Sequence, residues 1–309
     1  MSDLPLIRLG TRRSPLAMAQ AHEVRARLCA AHGWDESAVE LVPVLASGDK
    51  VQDRPLAEIG GKALWTKELD EWLAEGRIDM SVHSMKDVET IRPERFVIGA
   101  ILPRADKRDR LVGAVSIAAL PEGAVVGTSA PRRAAQLLHL RPDCSVVTFR
   151  GNVATRLAKL QAGDVDATFL AAAGLMRLGE DDVGHVLEAE DFLPAPSQGA
   201  IGVECRADDA RVRDWLTELD HGPSRAEVIA ERALLEALGG TCHSPIAVLC
   251  EAKGDDLTMR AALFSADGID RVEATAGFEA ADREGPRQLA RRLLQDAPAS
   301  ITALFHPPQ

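Results

Sequence analysis

Tyrosine is absent from this chain of 309 residues, and aromatic residues together make up only 4% of it. Few rings are therefore available to stack on bases, which is a common way of binding single-stranded nucleic acid. The chain also lacks an excess of positive charge, because its formal net charge is −11. Since non-specific binding to nucleic acid depends on neutralising phosphates, the composition argues against a nucleic-acid-binding protein.

Other patterns that would assign a function are missing too. The five cysteines are scattered, odd in number and form no CxxC pair, so neither a disulfide framework nor a zinc site is predicted. The absence of a GxxxxGK(S/T) sequence argues against a nucleoside triphosphate ligand. No apolar run reaches the roughly 20 residues that span a bilayer, and no signal-peptide pattern opens the chain. We therefore expect a cytoplasmic protein that binds neither membrane nor metal.

Strands and helices alternate in two segments of the chain, and both segments show the same order of elements. A strand at 6–9 precedes a helix at 15–31, and a strand at 124–126 precedes a helix at 132–140. Each segment later carries the pattern Gly-x-(Ile/Val)-Asp-x-(Ser/Thr), starting at Gly76 and at Gly163. The alternation predicts a mostly parallel sheet in each segment. The matched patterns predict two similar α/β domains, unless the likeness between the two segments is accidental.

The intervening elements complete this prediction, and the last third of the chain differs from it. The remaining elements of the two segments are predicted as strands at 39–45, 78–82 and 145–149 and helices at 62–74 and 153–161. The last third begins with a helix at 225–238, continues with strands at 246–251, 257–264 and 269–274, and ends with a helix at 286–295. An Asp-Gly pair between strands is a strong hairpin signal. This part is predicted to be a small α+β domain with an antiparallel sheet.

Arginine-bearing turns follow three of the predicted strands. Helix N-termini present free N–H groups to anions, and the arginine fork matches the geometry of a carboxylate. Each arginine alone is typical of a solvent-exposed residue, but their recurrence at equivalent turns predicts a ligand with several carboxylates or phosphates. The residues concerned are Arg12 and Ser14 in the first turn, Thr128, Ser129, Arg132 and Arg133 in the second, and Arg150 and Arg156 in the third.

Two further loops carry reactive side chains. Ser84, Lys86 and Asp87 directly follow a predicted strand, and this combination can bind an anion and transfer a proton. Without further context, Asp87 is more typical of a turn or helix-capping residue. Cys242 follows two glycines and precedes Pro245, which is typical of a shaped loop where a thiolate can act as a nucleophile. An arbitrary cysteine, however, is more often a small buried residue.

Together and in order, these sequences resemble the porphobilinogen deaminases, also called hydroxymethylbilane synthases. Residues 82–88 (VHSMKDV) and 150–153 (RGNV) are highly specific in combination. Cys242 stands where the family has its cofactor cysteine. The other similar blocks, which extend over nearly the whole chain, are residues 11–17, 60–62, 67–69, 127–129, 132–133, 155–157, 173–179, 198–200 and 204–206.

The resemblance implies a fold of three domains. Two are similar doubly wound α/β domains, like type II periplasmic binding proteins, with the active cleft between them. The third is a small α+β domain with a three-stranded antiparallel sheet. Domain 1 would comprise residues 1–102 and 199–219 and carry Asp87. Domain 2, which is rich in arginine, would comprise 103–198, and domain 3 would comprise 220–309 and carry Cys242.

The resemblance also implies a reaction. Four porphobilinogen molecules are condensed head to tail, ammonia is released at each step, and hydrolysis frees linear hydroxymethylbilane. A dipyrromethane cofactor remains linked to Cys242 by a thioether, while Asp87 is the catalytic residue. The protein would be a monomer without metal. The residues implied in binding the cofactor and substrate are Arg12, Ser14, Lys62, Ser84, Lys86, Thr128, Ser129, Arg132, Arg133, Arg150, Arg156, Arg177 and Gln198.

Several positions depart from the pattern of the family, and none of them removes Asp87, Cys242 or the main arginines. The departures are Glu58 for lysine, Trp65 for phenylalanine, Glu89 for proline, Ala130 for serine, Ser197 for glycine and Thr241 for glycine. They leave the finer ligand contacts open.

Two other functions remain open at this point. A two-domain solute-binding protein for a polycarboxylate would share the arginines but would not need Cys242 and would normally carry an export signal. A cysteine hydrolase would use Cys242 with His83 or His243. Pyrrole units attached covalently to Cys242 would distinguish a porphobilinogen deaminase from both of these functions.

Overall fold

The computed structural model describes residues 6–44, 66–241 and 244–306, and the chain divides into two compact units. Of the described residues, the first unit contains 6–44, 66–105 and 200–225. The second contains 106–199, 226–241 and 244–306. Among the described residues, no helix is both long and apolar enough to cross a membrane.

A five-stranded sheet lies at the centre of the first unit. Its strands are β1 (Ile7–Arg12), β2 (Val39–Val44), β3 (Met80–Ser84), β4 (Phe96–Ile101) and β10 (Ile201–Arg206). They lie in the order β2-β1-β3-β10-β4. β1 pairs in parallel with β2 and β3, and β10 runs antiparallel to both β3 and β4. The helices of this unit are α1 (Pro15–His32), α2 (Lys67–Ala74) and α6 (Ala210–Thr217).

The second unit contains a sheet of the same design. Its strands are β5 (Asp109–Val112), β6 (Val125–Gly127), β7 (Ser145–Val147), β8 (Ala167–Ala171) and β9 (His185–Leu187). Their order is β7-β6-β8-β5-β9, with β6 parallel to β7 and β8 and with β5 antiparallel to β8 and β9. The helices between these strands are α3 (Pro131–Leu140), α4 (Val153–Gln161) and α5 (Ala172–Arg177).

The prediction of two similar α/β domains is therefore confirmed, strand by strand. The prediction that each sheet is mostly parallel is also confirmed, because four of the five strands in each run in the same direction. The fifth strand, β10 in the first sheet and β5 in the second, runs the opposite way and forms two antiparallel pairings. Strand β10 belongs to the first sheet, but in the sequence it follows all five strands of the second sheet. Alternation of strands and helices cannot reveal such a late return, because it reports only local order.

The repeated aspartates explain why the matched sequence patterns recur. Asp79 accepts a hydrogen bond from the backbone N–H of Arg8 at 2.9 Å, and its own N–H donates to the Arg8 carbonyl at 2.9 Å. Asp166 forms the same pair of bonds with Val125, at 2.7 and 2.8 Å. Each aspartate thus joins the start of one parallel strand, β3 or β8, to the start of its neighbour, β1 or β6.

The last part of the chain forms a three-stranded antiparallel sheet, as predicted. Its strands are β11 (Ile246–Lys253), β12 (Asp256–Phe264) and β13 (Arg271–Glu279). They pack with three helices, α7 (Gly222–Ala237), α8 (Glu284–Asp296) and α9 (Ala299–Thr302). Leu234, Val248, Met259 and Leu289 lie in the shared core, and burial of each such side chain contributes about 1.5–3 kcal/mol.

Ser197 has a backbone conformation that glycine adopts more easily. Among the described residues other than glycine, Ser197 alone has a positive φ, of 62°. Such a conformation costs roughly 1–3 kcal/mol. The Ser197 N–H donates to the Glu231 carboxylate at 2.6 Å, and Glu231 also accepts from the N–H of Cys250 at 3.2 Å. Hydrogen bonding to the fully buried Glu231 holds this backbone in place, which accounts for how serine is accommodated at this position.

Candidate active site

The first group of predicted site residues lies at one edge of the first sheet. Arg12 ends β1 and Ser84 ends β3, and these strands are parallel neighbours, so their carboxyl ends share an edge. Ser14 is the N-cap of α1, and its hydroxyl accepts a bond from the N–H of Ala17 at 3.3 Å. Gln20 of the same helix donates to the Ser84 hydroxyl at 2.8 Å. The structure therefore brings the turn after β1 and the end of β3 together.

Lys86 and Asp87 follow β3 in a single 3₁₀ turn, Met85–Asp87. The N–H of Val88 donates to the Met85 carbonyl at 3.3 Å, and the N–H of Met85 donates to the Ala200 carbonyl at 3.0 Å. Met85 and Val88 are buried, while Lys86 and Asp87 between them are half-buried. The Asp87 carboxylate forms no hydrogen bond or ion pair within the described ranges. It is therefore available to a ligand.

His83 belongs to a buried polar cluster rather than to the exposed part of this loop. Its Nε2 lies 2.9 Å from the Ser81 hydroxyl and 3.3 Å from a carboxylate oxygen of Glu204. Glu204 also accepts two bonds of 2.8 Å from the Arg92 guanidinium. Burial alone would raise the pKa of Glu204, but the bonds from His83 and Arg92 outweigh burial and lower that pKa to about 2. Glu204 therefore remains ionised at neutral pH.

The second group lies at the equivalent edge of the second sheet, where β6, β7 and β8 end. Thr128 and Ser129 follow β6, and their hydroxyls accept from the N–H groups of Ala130 at 3.2 Å and Phe149 at 3.1 Å. The helix α3 starts at Pro131, as the sequence indicates, but Ala130 supplies no side-chain cap. The hydroxyls of Thr128 and Ser129 therefore fix the shape of the turn that follows β6.

Arg150 and Arg156 lie around the start of α4, in the turn after β7. Asn152 is the N-cap of this helix and accepts from the N–H of Thr155 at 2.9 Å. The Arg156 Nε donates to the Gly151 carbonyl at 3.0 Å. Gly151 has a φ of 125°, and a Cβ there would lie 2.7 Å from Thr155, so glycine is required for this turn. The predicted RGN block thus shapes the helix start that carries both arginines.

Arg132 and Arg133 have an internal partner that the sequence analysis did not identify. Each donates to Asp109 at 2.7 Å, and each also reaches a backbone carbonyl, of Leu193 at 2.7 Å and of Phe169 at 3.0 Å respectively. Asp109 is fully buried. Burial would raise its pKa, but the two guanidinium groups hold the pKa of Asp109 well below its usual range.

This cluster still contains unused hydrogen-bond donors. The Nε atoms of Arg132 and Arg133 are buried and have no hydrogen-bond partner within the described part of the chain. Gln198 joins the same cluster, since its amide donates to Asp109 at 3.0 Å and to the Lys107 carbonyl at 2.6 Å. The three predicted ligand-binding residues are therefore positioned by Asp109.

Asp109→Asn is expected to destabilise the fold by about 3–5 kcal/mol at pH 7, because it leaves two buried guanidinium groups without their counter-charge. The folded pKa of Asp109 is lowered from the ordinary 3.8, so its ion pairs stabilise the protein above that pH. That contribution is lost as the pH falls through the folded value. Urea unfolding at pH 7 measures the cost of the substitution, and the same measurement from about pH 5 down to about pH 2 follows the loss of the ion-pair contribution.

The control for this experiment is Asp164→Asn, which makes the same change at an exposed aspartate of the second unit. It should cost less than about 0.5 kcal/mol. A cost below about 1 kcal/mol for Asp109→Asn, with unchanged pH dependence, would show that Asp109 does not hold the two arginines.

The remaining predicted residues fall into two sets. Arg177 ends α5, and its guanidinium donates to the Gly199 carbonyl at 3.1 Å. Lys62 and Cys242 lie outside the described residues, as do Glu58, Trp65 and His243. On either side of Cys242 and His243, the Thr241 N–H donates to the Ser244 hydroxyl at 3.0 Å, and the Ser244 N–H donates to the Thr241 carbonyl at 3.0 Å.

The other four cysteines differ chemically from an accessible nucleophile. Cys29, Cys144, Cys205 and Cys250 are all buried. Burial raises the pKa of Cys29 and of Cys144, and it raises the pKa of Cys205 to about 11. A raised pKa lowers the fraction of reactive thiolate in these three cysteines, and burial limits access to all four, so they are poorly suited to carry a covalent group.

Sequence reasoning missed Asp109, Glu204 and Arg92 as supports of the site. Asp109 lies in the run Lys107-Arg108-Asp109-Arg110, which is typical of an exposed charged segment and gives no sign of burial. Glu204 was identified only as part of a family block. Its two bonds to Arg92 join positions 112 residues apart, a separation that local patterns do not reveal.

Known proteins are similar to this chain over nearly its whole length. The family model described as "Porphobilinogen deaminase, dipyromethane cofactor binding domain" matches residues 7–214, and the one described as "Porphobilinogen deaminase, C-terminal domain" matches residues 225–296. The chain is 57% identical to a porphobilinogen deaminase of Sphingopyxis alaskensis, over 98% of this chain and 97% of the relative. It is 50% identical to that of Paracoccus denitrificans, over 96% of each chain.

Among solved structures, the chain is similar to a TRAP periplasmic solute binding protein from Desulfovibrio salexigens. The identity is 12%, the match covers 71% of this chain and 73% of the other, and the TM-score is 0.41. The family assignment follows from the sequence matches, which extend over nearly the full length of the chain.

Proposed function

The chain belongs to the porphobilinogen deaminase family, and we propose that its strand-end residues bind a growing pyrrole chain while Asp87 serves each condensation. The activity is that of a transferase of tetrapyrrole biosynthesis. Four porphobilinogens are joined head to tail with release of ammonia, which gives linear hydroxymethylbilane. The observation that carries the proposal is the half-buried Asp87 carboxylate, unpaired within the described ranges, beside polar strand ends.

The family implies a dipyrromethane cofactor, and the described residues fit such a group. Each of its pyrroles carries carboxylates, and the strand ends of each unit offer suitable donors, among them the two buried Nε–H groups of Arg132 and Arg133 in the second unit. When bound, the cofactor supplies the pyrrole end to which substrate is added. The residues proposed to hold it and the substrate are Arg12, Ser14, Lys62, Ser84, Lys86, Thr128, Ser129, Arg132, Arg133, Arg150, Arg156, Arg177 and Gln198.

Arginine is suited to this ligand on energetic grounds. A hydrogen bond to a charged group contributes about 1.5–3 kcal/mol, and the carboxylates increase in number as the chain grows. Several arginines can therefore retain a lengthening product without a metal ion. Asp109 holds Arg132 and Arg133 in fixed orientations, so less side-chain entropy is lost when they meet a carboxylate.

Asp87 is proposed as the catalytic residue. Positive charge develops on a pyrrole nitrogen when ammonia leaves and when the next ring attacks. A carboxylate within reach of that N–H stabilises the charge and can transfer the proton. The short 3₁₀ turn, anchored by buried Met85 and Val88, fixes the backbone on which Asp87 stands.

The thioether to Cys242 is also a proposal. It is supported by the family and by the burial of the four cysteines that the structure describes. In this role Cys242 is a tether that persists through turnover, rather than a nucleophile that is regenerated in each cycle.

Further expectations about the whole protein remain predictions. We propose that it acts in the cytoplasm as a monomer without metal. We also propose the three domains with the boundaries given above, residues 1–102 with 199–219, 103–198 and 220–309. The separate family models for residues 7–214 and 225–296 support a distinct C-terminal domain.

The solute-binding alternative is distinguished from the deaminase by its products. The purified protein is expected to consume porphobilinogen, release one ammonia for each molecule consumed, and form one hydroxymethylbilane from four. Parallel assays of porphobilinogen, ammonia and the oxidised linear product measure these ratios. Binding of porphobilinogen without loss of ammonia would instead identify a binding protein.

A further inference from the structure

A single guanidinium, that of Arg92, holds three carboxylates of the first unit. Arg92 donates to Asp70 at 2.6 Å, to Glu89 at 2.6 Å and to Glu204 through two bonds of 2.8 Å. The side chain of Arg92 is only 9% exposed, and that of Glu204 is fully buried. Charge-assisted bonds of this kind are short and strong when water is excluded. The network is therefore a rigid part of the unit.

The network is attached to the Asp87 loop on both of its sides. On the amino-terminal side, His83 bonds to Glu204 at 3.3 Å. On the carboxyl-terminal side, Glu89 lies two residues after Asp87 and bonds to Arg92. Residues 84–88 therefore lie between two attachments to the network, one through Glu204 and one directly to Arg92. Displacement of either attachment would move the backbone that carries Asp87.

Glu89 has a second partner that ties the loop to helix α2. The hydroxyl of Thr66, the N-cap residue of that helix, donates to the two Glu89 oxygens at 3.0 and 3.1 Å. Asp70 of the same helix is bound by Arg92. The Asp70 side chain is only 12% exposed, and burial raises the pKa of Asp70 despite its bond to Arg92.

We propose that Arg92 and Glu89 are positioning residues that hold the loop so that the Asp87 carboxylate meets its substrate. This inference rests on the catalytic role proposed for Asp87. Neither side chain contacts the ligand in this account. Both act through the backbone of residues 84–88, by fixing where that segment starts and ends.

The experiment compares Glu89→Ala, Glu89→Gln and Arg92→Lys in the full-length protein carrying its cofactor. Alanine removes the bonds of Glu89 to Thr66 and Arg92, whereas glutamine retains an oxygen that accepts from both partners. Lysine keeps the buried positive charge of Arg92 but loses the fork that reaches three carboxylates. Glu94→Ala, at an exposed glutamate five residues further on, is the matched control.

We expect Glu89→Ala and Arg92→Lys to lower kcat about 10-fold and to change KM for porphobilinogen less than about two-fold, because small misplacements affect chemistry more than binding. The cofactor adduct should remain, as read by intact mass. Glu89→Gln should recover most of kcat, and Glu94→Ala should match the unsubstituted protein. A purely structural role would lower the melting temperature and leave kcat of the folded protein unchanged.

Asp87→Ala, assayed in parallel, separates two kinds of failure. If Asp87→Ala is inactive while Glu89→Ala and Arg92→Lys both keep full kcat, the positioning role is wrong and the proposed function stands. If Asp87→Ala keeps full kcat, the catalytic role is wrong and the positioning inference falls with it. If one of Glu89→Ala and Arg92→Lys does not fold, the comparison uses the other, because each of them disrupts the network.

Discussion

Asp87→Ala is expected to lower kcat by about 10²- to 10⁴-fold, the range in which a positioned acid or base contributes. The cofactor should remain attached, because it is held by Cys242 and by the arginines. The physical reason is the loss of a carboxylate that no other described residue engages and that stabilises charge on the pyrrole nitrogens. Initial rates of porphobilinogen consumption measure the effect, and intact-protein mass reports the adduct.

The control for this prediction is Asp214→Ala, which removes an exposed carboxylate from the same unit. It should leave both rate and adduct unchanged. Turnover of Asp87→Ala at the rate of the unsubstituted protein would remove Asp87 from the chemistry.

Cys242→Ala is expected to abolish both the adduct and turnover. Without a thioether there is no primer, and the binding residues alone provide no covalent point from which the pyrrole chain grows. Intact mass and the porphobilinogen assay together measure this result. Cys29→Ala is the matched control, because Cys29 is buried and burial raises the pKa of its thiol.

Full activity of Cys242→Ala would contradict the role of Cys242 as the covalent tether of the cofactor. Retention of the adduct in that variant would place the attachment on another residue. Loss of the adduct in Cys29→Ala, with Cys242 intact, would likewise contradict the assignment.

Local chemistry in the sequence predicted much of the fold. Ser14 and Pro15 indicate the start of α1, and the helix begins there with a side-chain cap. The aspartates at 79 and 166 recur because each performs the same bonding task in its sheet. The antiparallel placements of β5 and β10 could not be predicted in this way, because they depend on where distant segments return.

The candidate site, like the fold, was predicted from the sequence only where local patterns determine it. Its polar residues were found because they follow strands, and the edges of the two sheets carry them as expected. Their supports were not found, because pairs such as Arg133 with Asp109 and Arg92 with Glu204 depend on burial and on residues far apart in sequence. Glu89 illustrates the difference, since the sequence marked it only as a departure, and the structure gives it Thr66 and Arg92 as partners.

The central claim is that Cys242 carries a covalent primer of two pyrrole units on which the chain is built. The most direct test is the intact mass of the active protein, followed by mapping of the modified peptide. We predict a mass increase equal to two linked pyrroles, located on Cys242. An unmodified mass for protein that is fully active would contradict this account.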